Sequence, residues 1–258
     1  MPMLPSFAAP VLAAVLCAFA AGDMAATADP VPRHWPASWP TRFAWSWDRR
    51  EDLSFLESGQ GVALVVTSLE FRGDRTLVRP LRDAIVLPVG AVVLPVVHVE
   101  ALASMHAALD ADQAQSLVDA ILHAESLSAA HAVQVDFEAL PSQRTFYRGV
   151  LARVRAQQPD ALISVTALAS WCLADRWTAA LPVDEVVPMA FRMGRQSTDY
   201  RQWVAASARW PDATCGSTGV ASDEMLERVP RSHRLYFFSP QPWTPERWTA
   251  QTSHYADS

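Results

Sequence analysis

The stretch that most restricts the fold of this 258-residue chain is residues 133–138, where apolar and polar side chains alternate strictly. That is the period of a β-strand, because successive side chains point to opposite faces of a sheet. Apolar segments and an amphipathic helix flank the stretch, so we expect helices over its apolar face and the interior of a small parallel barrel under its polar face. An exposed edge strand is the alternative. The apolar face has Val133, Val135 and Phe137, and the polar face has Gln134, Asp136 and Glu138.

Strand-like runs alternate with helical patterns along most of the chain. The strand-like runs are 43–47, 62–67, 91–99, 133–138, 162–168, 185–191, 217–221 and 235–238. The clearest helical patterns are 111–126, 145–157, 199–209 and 244–255. Such alternation predicts parallel strands joined by right-handed crossovers. Two connections have weaker patterns, and we expect one short helix within 49–57 and mostly loop within 72–83.

The number of strands and the chain length predict an α/β fold, a (β/α)8 barrel of the TIM type formed as a single domain by residues 42–258. The rival is an open doubly wound sheet, which usually has a glycine-rich turn after its first strand. Here Trp47 is followed by residues 48–52, none of which is glycine, and the chain contains no phosphate-binding loop. We therefore favour the closed barrel.

The N-terminus resembles an export signal. Residues 7–21 form a continuous apolar run shorter than the roughly 20 residues needed to span a bilayer. Residues 26–28 read Ala-Thr-Ala, a cleavage site for a signal peptide over 1–28. We expect a periplasmic or secreted protein without a membrane span after signal removal, and a Pro- and Trp-rich arm over 29–41. A lipid anchor at Cys17 or a retained signal anchor is the alternative.

Composition narrows the range of partners. The formal net charge is −6 and no basic run occurs, which argues against nucleic acid. Cys172 and Cys215 could pair in an oxidising compartment, but the predicted layout allows them to lie at opposite ends of the barrel, so pairing stays open. Two isolated cysteines are too few for a structural zinc site, and we expect neither a metal nor a cofactor.

The active sites of TIM-type barrels lie at the C-terminal ends of the strands. Acids, hydroxyl groups and tryptophans dominate at those positions here, which is typical of a sugar site, where carboxylates exchange protons and flat aromatic rings contact sugar rings. We therefore predict a carbohydrate ligand. The expected binding residues are Gln134, Trp47, Thr166, Trp171, Phe191, Arg192 and Trp243.

Asp136 and Glu138 are the predicted catalytic pair. Alternate residues on a strand lie about 6.6 Å apart, so the negative charge of one carboxylate would raise the pKa of the other into the range of a general acid. In the structural alternative the two acids form salt bridges with Arg144 or Arg192. His98 is expected to be a hydrogen-bonded barrel residue, and its convergence with nearby acids on a metal is a less favoured alternative.

Two short motifs resemble family 18 chitinases and related glycosidases. The sequence Gln134-Val135-Asp136-Phe137-Glu138 resembles their fourth-strand signature, and Met189-Ala190-Phe191-Arg192 resembles the Met-x-Tyr-Asp of their sixth strand. This resemblance implies that Glu138 protonates the glycosidic oxygen, while Asp136 assists it and orients an acetamido group of the substrate. The chain departs from the family at four positions: Gln134, His131 and Phe191 replace Asp, Asp and Tyr, and Arg192 replaces the last Asp.

A more extensive resemblance covers most of the mature chain. Its motifs are Asp136-Phe137-Glu138, Ser142-Gln143-Arg144, residues 166–172, Leu181-Pro182-Val183-Asp184-Glu185 and Phe191-Arg192-Met193-Gly194. They resemble an exported bacterial family known as a domain of unknown function, for which a barrel is expected. This resemblance implies a fold and an export route but no activity. Two functions therefore remain open: a glycosidase, and a binding protein for envelope or extracellular carbohydrate on a degenerate glycosidase barrel.

Overall fold

Eight parallel strands close into a barrel in the computed structural model, which describes residues 35–175, 177–194 and 197–256. The first strand, β1 (Arg42–Ser46), pairs with both β11 (Leu235–Phe238) and β3 (Gln60–Arg72), and this double pairing closes the sheet. The barrel strands, in the order in which they pair, are β1 (Arg42–Ser46), β3 (Gln60–Arg72), β6 (Val92–Glu100), β7 (Ala132–Asp136), β8 (Leu162–Leu168), β9 (Glu185–Met189), β10 (Thr218–Ala221) and β11 (Leu235–Phe238). The predicted TIM-like barrel is confirmed, whereas the signal peptide lies outside the described residues.

Four α-helices of at least ten residues are described: α1 (Ala111–Ser126), α2 (Arg144–Gln157), α3 (Ser197–Ala206) and α4 (Pro245–His254). Local sequence explains where two of them begin. The Asp110 carboxylate accepts hydrogen bonds from the first backbone N–H groups of α1, and the Thr244 hydroxyl accepts one at the start of α4, which has proline at its first position. Each cap satisfies donors that the helix itself cannot pair.

The two faces of the barrel strands belong to separate apolar layers. Val133, Val135 and Phe137 pack in the outer layer with residues of α1 and α2, and the Phe137 ring lies 5.1 Å from that of Tyr147. The interior is rich in aromatic rings, and the Trp45 and Phe238 centroids are 4.4 Å apart. The predicted orientation of residues 133–138 is therefore confirmed.

One glycine is required by this interior packing. Phe43 points into the barrel and crosses the neighbouring strand at Gly61, where an added Cβ would lie 2.4 Å from the phenylalanine ring. Because no side chain fits at that distance, the close approach of β1 and β3 depends on glycine at this position.

A hairpin extends the barrel on one side. β4 (Arg75–Pro80) pairs antiparallel with the second half of β3 after a two-residue turn at Gly73 and Asp74. The prediction of mostly loop over 72–83 was therefore wrong. Nearly every β4 side chain is exposed, so the alternation that marks a half-buried strand is absent from its sequence.

The connection after β1 also differs from the prediction. Residues 49–57 form no helix and instead contain the two-residue strand β2 (Glu51–Asp52), which pairs with β5 (Ile85–Val86). The buried Glu51 carboxylate accepts hydrogen bonds from the Ser46 hydroxyl and the Trp243 backbone N–H, both at 2.6 Å. These contacts tie the segment to the barrel, and they outweigh the weak local preference for a helix.

The described part of the N-terminal arm contains a turn, closed by a hydrogen bond of 2.9 Å from the Trp39 N–H to the Pro36 carbonyl. Trp39 packs against Phe43, with ring centroids 5.9 Å apart, and Trp35 packs against Trp39. The Arg234 guanidinium lies 4.6 Å from the centre of the Trp35 ring. The arm therefore extends the aromatic interior at the end of the barrel opposite the C-terminal strand ends.

Cys172 and Cys215 form a disulfide in the structure. Both residues are buried in the outer layer, because the chain after β8 turns over the outside of the barrel through a π-helical turn at Trp171–Asp175. The Thr178 hydroxyl, further along the same connection, donates a hydrogen bond of 2.9 Å to Asp212. The layout that allowed the cysteines to lie at opposite ends of the barrel was therefore wrong.

A buried carboxylate organises the lower interior of the barrel. Glu185 accepts hydrogen bonds from the hydroxyl groups of Ser164, Ser217 and Tyr236 at 2.6–2.7 Å. Arg234 forms an ion pair with the same carboxylate at 3.2 Å. Burial, followed by the negative charge of Glu185, raises the pKa of Tyr236 well above its ordinary value, so that this phenol remains a donor. The network joins β8, β9 and β11 across the barrel.

We expect replacement of Glu185 by glutamine to lower the free energy of unfolding by about 3–5 kcal/mol, because the Arg234 charge would remain buried without its partner. The measurement is the urea midpoint at constant m-value. Glu227→Gln is the matched control, since Glu227 is exposed, and it should change the stability by less than about 0.5 kcal/mol. Equal midpoints for the two variants would show that the network contributes little to stability.

Candidate functional site

A cavity of about 490 Å³ opens at the C-terminal ends of the barrel strands. Its walls come from the ends of six strands, β6 to β11, from the loops that follow them and from Trp47 just after β1. The volume lies in the range of small-molecule sites, and the position is where TIM-type barrels carry their active sites. The side chains that matter for its chemistry are Trp47, His98, Glu100, Asp136, Glu138, Phe191, Arg192, Asp223 and Phe238.

Asp136 is held rigidly at the floor of this cavity. One of its carboxylate oxygens accepts a hydrogen bond of 2.5 Å from the Thr166 hydroxyl on β8, and the other lies 2.8 Å from Nδ1 of His98 on β6. The polar face predicted for β7 places the carboxylate between these two neighbouring strands. Asp136 is buried, so its orientation depends on the two partners.

His98 bridges two acids. Nδ1 faces Asp136, and Nε2 lies 3.4 Å from Glu100, while the edge of the ring packs against Trp47 at 5.4 Å between centroids. Burial by itself would lower the pKa of His98, but the hydrogen bonds and charges of Asp136 and Glu100 together outweigh it and raise the pKa. His98 is therefore a hydrogen-bonded barrel residue, as predicted, and it also lines the cavity.

Glu138 lies two residues beyond the end of β7 and lines the cavity. The prediction that the strand continues to this residue was wrong by two positions. Solvent reaches the Glu138 side chain, but the protein atoms around it in the cleft remove part of its hydration. This desolvation, followed by the negative charge of Asp136, raises the pKa of Glu138, and the positive charges of His98 and Arg192 oppose the rise only in part. A raised pKa is the property that a general acid needs.

Arg192 does not form an ion pair with either acid. Its guanidinium lies 3.3 Å from Asp223, and its backbone N–H donates a hydrogen bond of 2.8 Å to Glu224. The residue adopts a left-handed backbone conformation with φ of 48°, which the Glu224 contact holds. Met189 and Phe191 point into the barrel, and the side chain of Arg192 is 63% exposed at the cavity rim.

The salt-bridged alternative for the acid pair is not found among the described residues. Arg144 pairs with Asp175 at 2.5 Å and stacks over Trp177, away from the cavity. Because Arg192 pairs with Asp223, neither arginine neutralises Glu138 by direct contact. Within the described part of the chain, His98 is the one potential cation in direct contact with Asp136.

Four predicted binding residues lie outside the cavity lining: Gln134, Thr166, Trp171 and Trp243. Gln134 is completely buried one step below Asp136, where its amide donates a hydrogen bond of 2.8 Å to Ser164. Trp171 is buried against Trp177 in the outer layer, and Trp243 is buried where its indole N–H donates to the Trp45 carbonyl. The placement of both tryptophans at the cavity is thus corrected, because the loops that carry them fold back over the barrel.

The other three predicted binding residues come together at the cavity. Trp47, Phe191 and Arg192 contribute to its walls, and Thr166 supports Asp136 from beneath. Glu100, Asp223 and the aliphatic residues of the loops after β6 and β7 also line the cavity, although they are not among the predicted site residues. A strand-end position was the signal for the acids, whereas nothing in the sequence marks exposed leucines as part of a cavity.

No group of three or more His, Cys, Asp or Glu side chains able to hold a metal ion occurs among the described residues. In the same part of the chain, no helix is long and apolar enough to cross a membrane. Comparisons of the chain with protein-family models, curated proteins and solved structures found no match. Any statement about activity therefore depends on the cavity itself.

Proposed function

We propose that the cavity is a glycosidase site that acts on an envelope or extracellular carbohydrate, with Glu138 as the general acid. The observation that carries the proposal is the pairing of a cavity-facing carboxyl of raised pKa with a second carboxylate whose orientation is set by two hydrogen bonds. Carboxyl groups with different environments are the usual basis for acid catalysis at glycosidic bonds. The resemblance of residues 134–138 to the family 18 signature supports the same roles.

In the proposed reaction Glu138 donates its proton to the glycosidic oxygen as the bond from that oxygen to the anomeric carbon breaks. Positive charge then develops on the sugar ring, and the negative charge of Asp136 favours it. Water adds to the anomeric carbon and returns a proton to the Glu138 carboxylate. Trp47 and Phe191 line the cavity where the sugar would lie, and Phe191 has no hydroxyl with which to position an acetamido group.

Export would place this site among extracellular glycans. The disulfide between Cys172 and Cys215 supports export, because such bonds persist mainly in oxidising compartments. The apolar run over residues 7–21 supports it independently.

The second candidate is a carbohydrate-binding protein without turnover. The observation in its favour is Arg192, which replaces an acid of the family 18 motif. Desolvation and the charge of Asp136 raise the pKa of Glu138, and the positive charge of Arg192 opposes part of that rise. A cleft of this kind would retain sugar affinity while holding the proton of Glu138 less firmly. The two candidates differ only in turnover.

A glycan array followed by a turnover screen on the ligands that bind tests the proposal. We expect binding to a limited set of glycans and hydrolysis of at least one, detected as new reducing ends. Binding without hydrolysis over a broad pH range would favour the second candidate. The absence of both binding and hydrolysis would contradict the carbohydrate proposal.

Asp136→Asn should move the pH–rate profile as well as lower it. A general acid works while it is protonated, so activity falls as pH rises through the pKa of Glu138. Removing the charge of Asp136 lowers that pKa, and the alkaline limb should therefore move to lower pH. His98 would lose its main anionic partner and become less charged, which offsets part of the shift. The measurement is kcat/KM against pH on the identified substrate.

A profile that is merely lower, with its alkaline limb in the wild-type position, would show that Asp136 does not act on the proton of Glu138. Asp223→Asn serves as the control, because Asp223 lines the same cavity but pairs with Arg192. Asp223→Asn leaves the charge of Arg192 without its partner but leaves Asp136 unchanged. We therefore expect only a small shift of the alkaline limb in this variant.

A further inference from the structure

One wall of the cavity is aliphatic and exposed. Leu102 follows β6 and Leu140 follows β7, and both line the cavity that contains Glu138. Leu102 is 55% exposed and Leu140 is 42% exposed. Alanines 101 and 103 and Pro240 continue the apolar surface around the opening.

A single buried side chain fixes the two loops that carry these leucines. The Gln143 side-chain carbonyl accepts a hydrogen bond of 2.8 Å from the Leu140 N–H, and its amide group donates one of 2.6 Å to the carbonyl of Ala101. Gln143 therefore links the residue before Leu102 to Leu140 itself. The apolar wall is built into the structure, because both of its loops are held by hydrogen bonds to the same buried side chain.

This wall suits a different chemistry from the floor of the cavity. Sugar hydroxyl groups need hydrogen-bond partners, and leucine side chains have none to offer. Aliphatic surface is stabilised instead by apolar groups that displace water from it. The charged side chains Glu138 and Asp136 lie toward the strand ends, and Leu140 is only two residues away from Glu138 in the chain. A ligand that fills the cavity would thus have a sugar and an apolar group within a short distance of each other.

We propose that the substrate is an amphiphilic glycoside, in which an alkyl or acyl group lies on Leu102 and Leu140 while the sugar linkage faces Glu138. This inference rests on the proposed function, since it assigns the substrate class of the same site. The position of the wall, inside the lining that also contains the acids, favours a small amphiphile over a flat partner surface.

Calorimetric titration of the Glu138→Gln protein tests the inference without turnover. The probes are methyl, butyl and octyl β-D-glucopyranoside and the corresponding N-acetyl-β-D-glucosaminides, all below their micelle-forming concentrations. Full removal of one methylene from water strengthens binding roughly fourfold, so partial burial of an octyl chain should strengthen it at least about 30-fold over methyl. Octanol alone is the probe for the chain without the sugar.

Leu102→Asn combined with Leu140→Asn, in the same Glu138→Gln background, should remove most of the octyl advantage and leave methyl glycoside binding within about twofold. The matched control is Leu127→Asn, because Leu127 is also 55% exposed but lies at the end of α1, outside the cavity lining. Because both leucines are exposed, we expect their replacement to have little effect on folding. If the double variant is unstable, each single variant provides a second test.

Equal affinities for methyl and octyl glycosides, or an octyl advantage that survives the double variant, would overturn the inference while leaving the glycosidase proposal intact. Octanol binding as tight as octyl glycoside would instead contradict the sugar proposal. If the double variant changed the sedimentation of the protein or its binding to phosphatidylcholine vesicles, and not its octyl affinity, the wall would serve a second copy or a membrane, which also overturns the inference.

Discussion

Replacing Glu138 by glutamine should lower turnover by about 100- to 10,000-fold on any glycoside that the wild-type protein hydrolyses, because removing a general acid typically has an effect of this size. Glutamine keeps the shape of the side chain and its capacity for hydrogen bonding, but it has no acid proton to give. Ligand affinity should therefore remain close to that of the wild type. The measurement is kcat and KM on the best substrate from the turnover screen. We expect kcat to fall and KM to change little.

Glu100→Gln is the matched control for this experiment. Glu100 is a carboxylate in the same cavity, and it contacts His98 at 3.4 Å without being adjacent to Asp136 in the chain. We expect less than a tenfold change in turnover from this variant. If Glu138→Gln retained turnover within a few fold while its melting temperature fell, the acid pair would be structural, and any catalytic group would lie elsewhere.

A leaving group that needs no proton provides a second check on the role of Glu138. An aryl glycoside with an acidic phenol as its leaving group should be hydrolysed by Glu138→Gln with a much smaller loss than an alkyl glycoside, because the phenolate departs without protonation. Equal losses on both substrates would indicate that glutamine disturbs the binding geometry and not the proton transfer.

The barrel was predictable because β7 is buried on two chemically different faces, one apolar and one polar. The alternation in residues 133–138 determines which side chains enter the barrel, and a shift of one residue would exchange the two faces. That alternation also placed Asp136 and Glu138 on the cavity side. The strand β4 was not predictable in the same way, since its exposed side chains have no buried face to mark it.

The site was only partly predictable, because the residue after a strand can turn into the cavity or away from it. Trp47 and Phe191 enter the cavity, while Trp171 and Trp243 fold over the outside of the barrel. What decides between these outcomes is a contact between distant parts of the chain, such as the hydrogen bond from the Trp243 indole to the Trp45 carbonyl. The pattern near one strand contains no information about such a partner.

The disulfide could not be assigned from the sequence either, because it too depends on a contact between distant parts of the chain. Cys172 and Cys215 are separated by 43 residues, and the segments between them include β9 and α3. Their approach depends on the path of the connection from β8 to β9 over the outer surface. The described residues of this connection form only short helical turns, at Trp171–Asp175 and Trp177–Ala180, so they contribute few helical hydrogen bonds to stabilise it.

Removing the disulfide should therefore have a large effect on stability. In the chain-entropy account, a crosslink closing a loop of this length lowers the stability of the unfolded state by about 4 kcal/mol at 25 °C. We expect Cys172→Ala combined with Cys215→Ala to lower the free energy of unfolding by roughly that amount, measured as the shift of the urea midpoint. Alanine is chosen because both sites are buried and apolar, where a serine hydroxyl would add an unpaired polar group.

The wild-type protein unfolded in the presence of a reductant is the control, since it breaks the bond and keeps both sulfur atoms. The reduced protein and the double variant should lose similar stability, apart from about 1 kcal/mol for the missing sulfur atoms. A loss below about 1 kcal/mol in the reduced protein would mean that packing and the Thr178–Asp212 hydrogen bond already hold the β8–β9 connection in place. A loss in cavity binding alongside the loss of stability would show that this connection supports the Thr166 end of β8, and through Thr166 the orientation of Asp136.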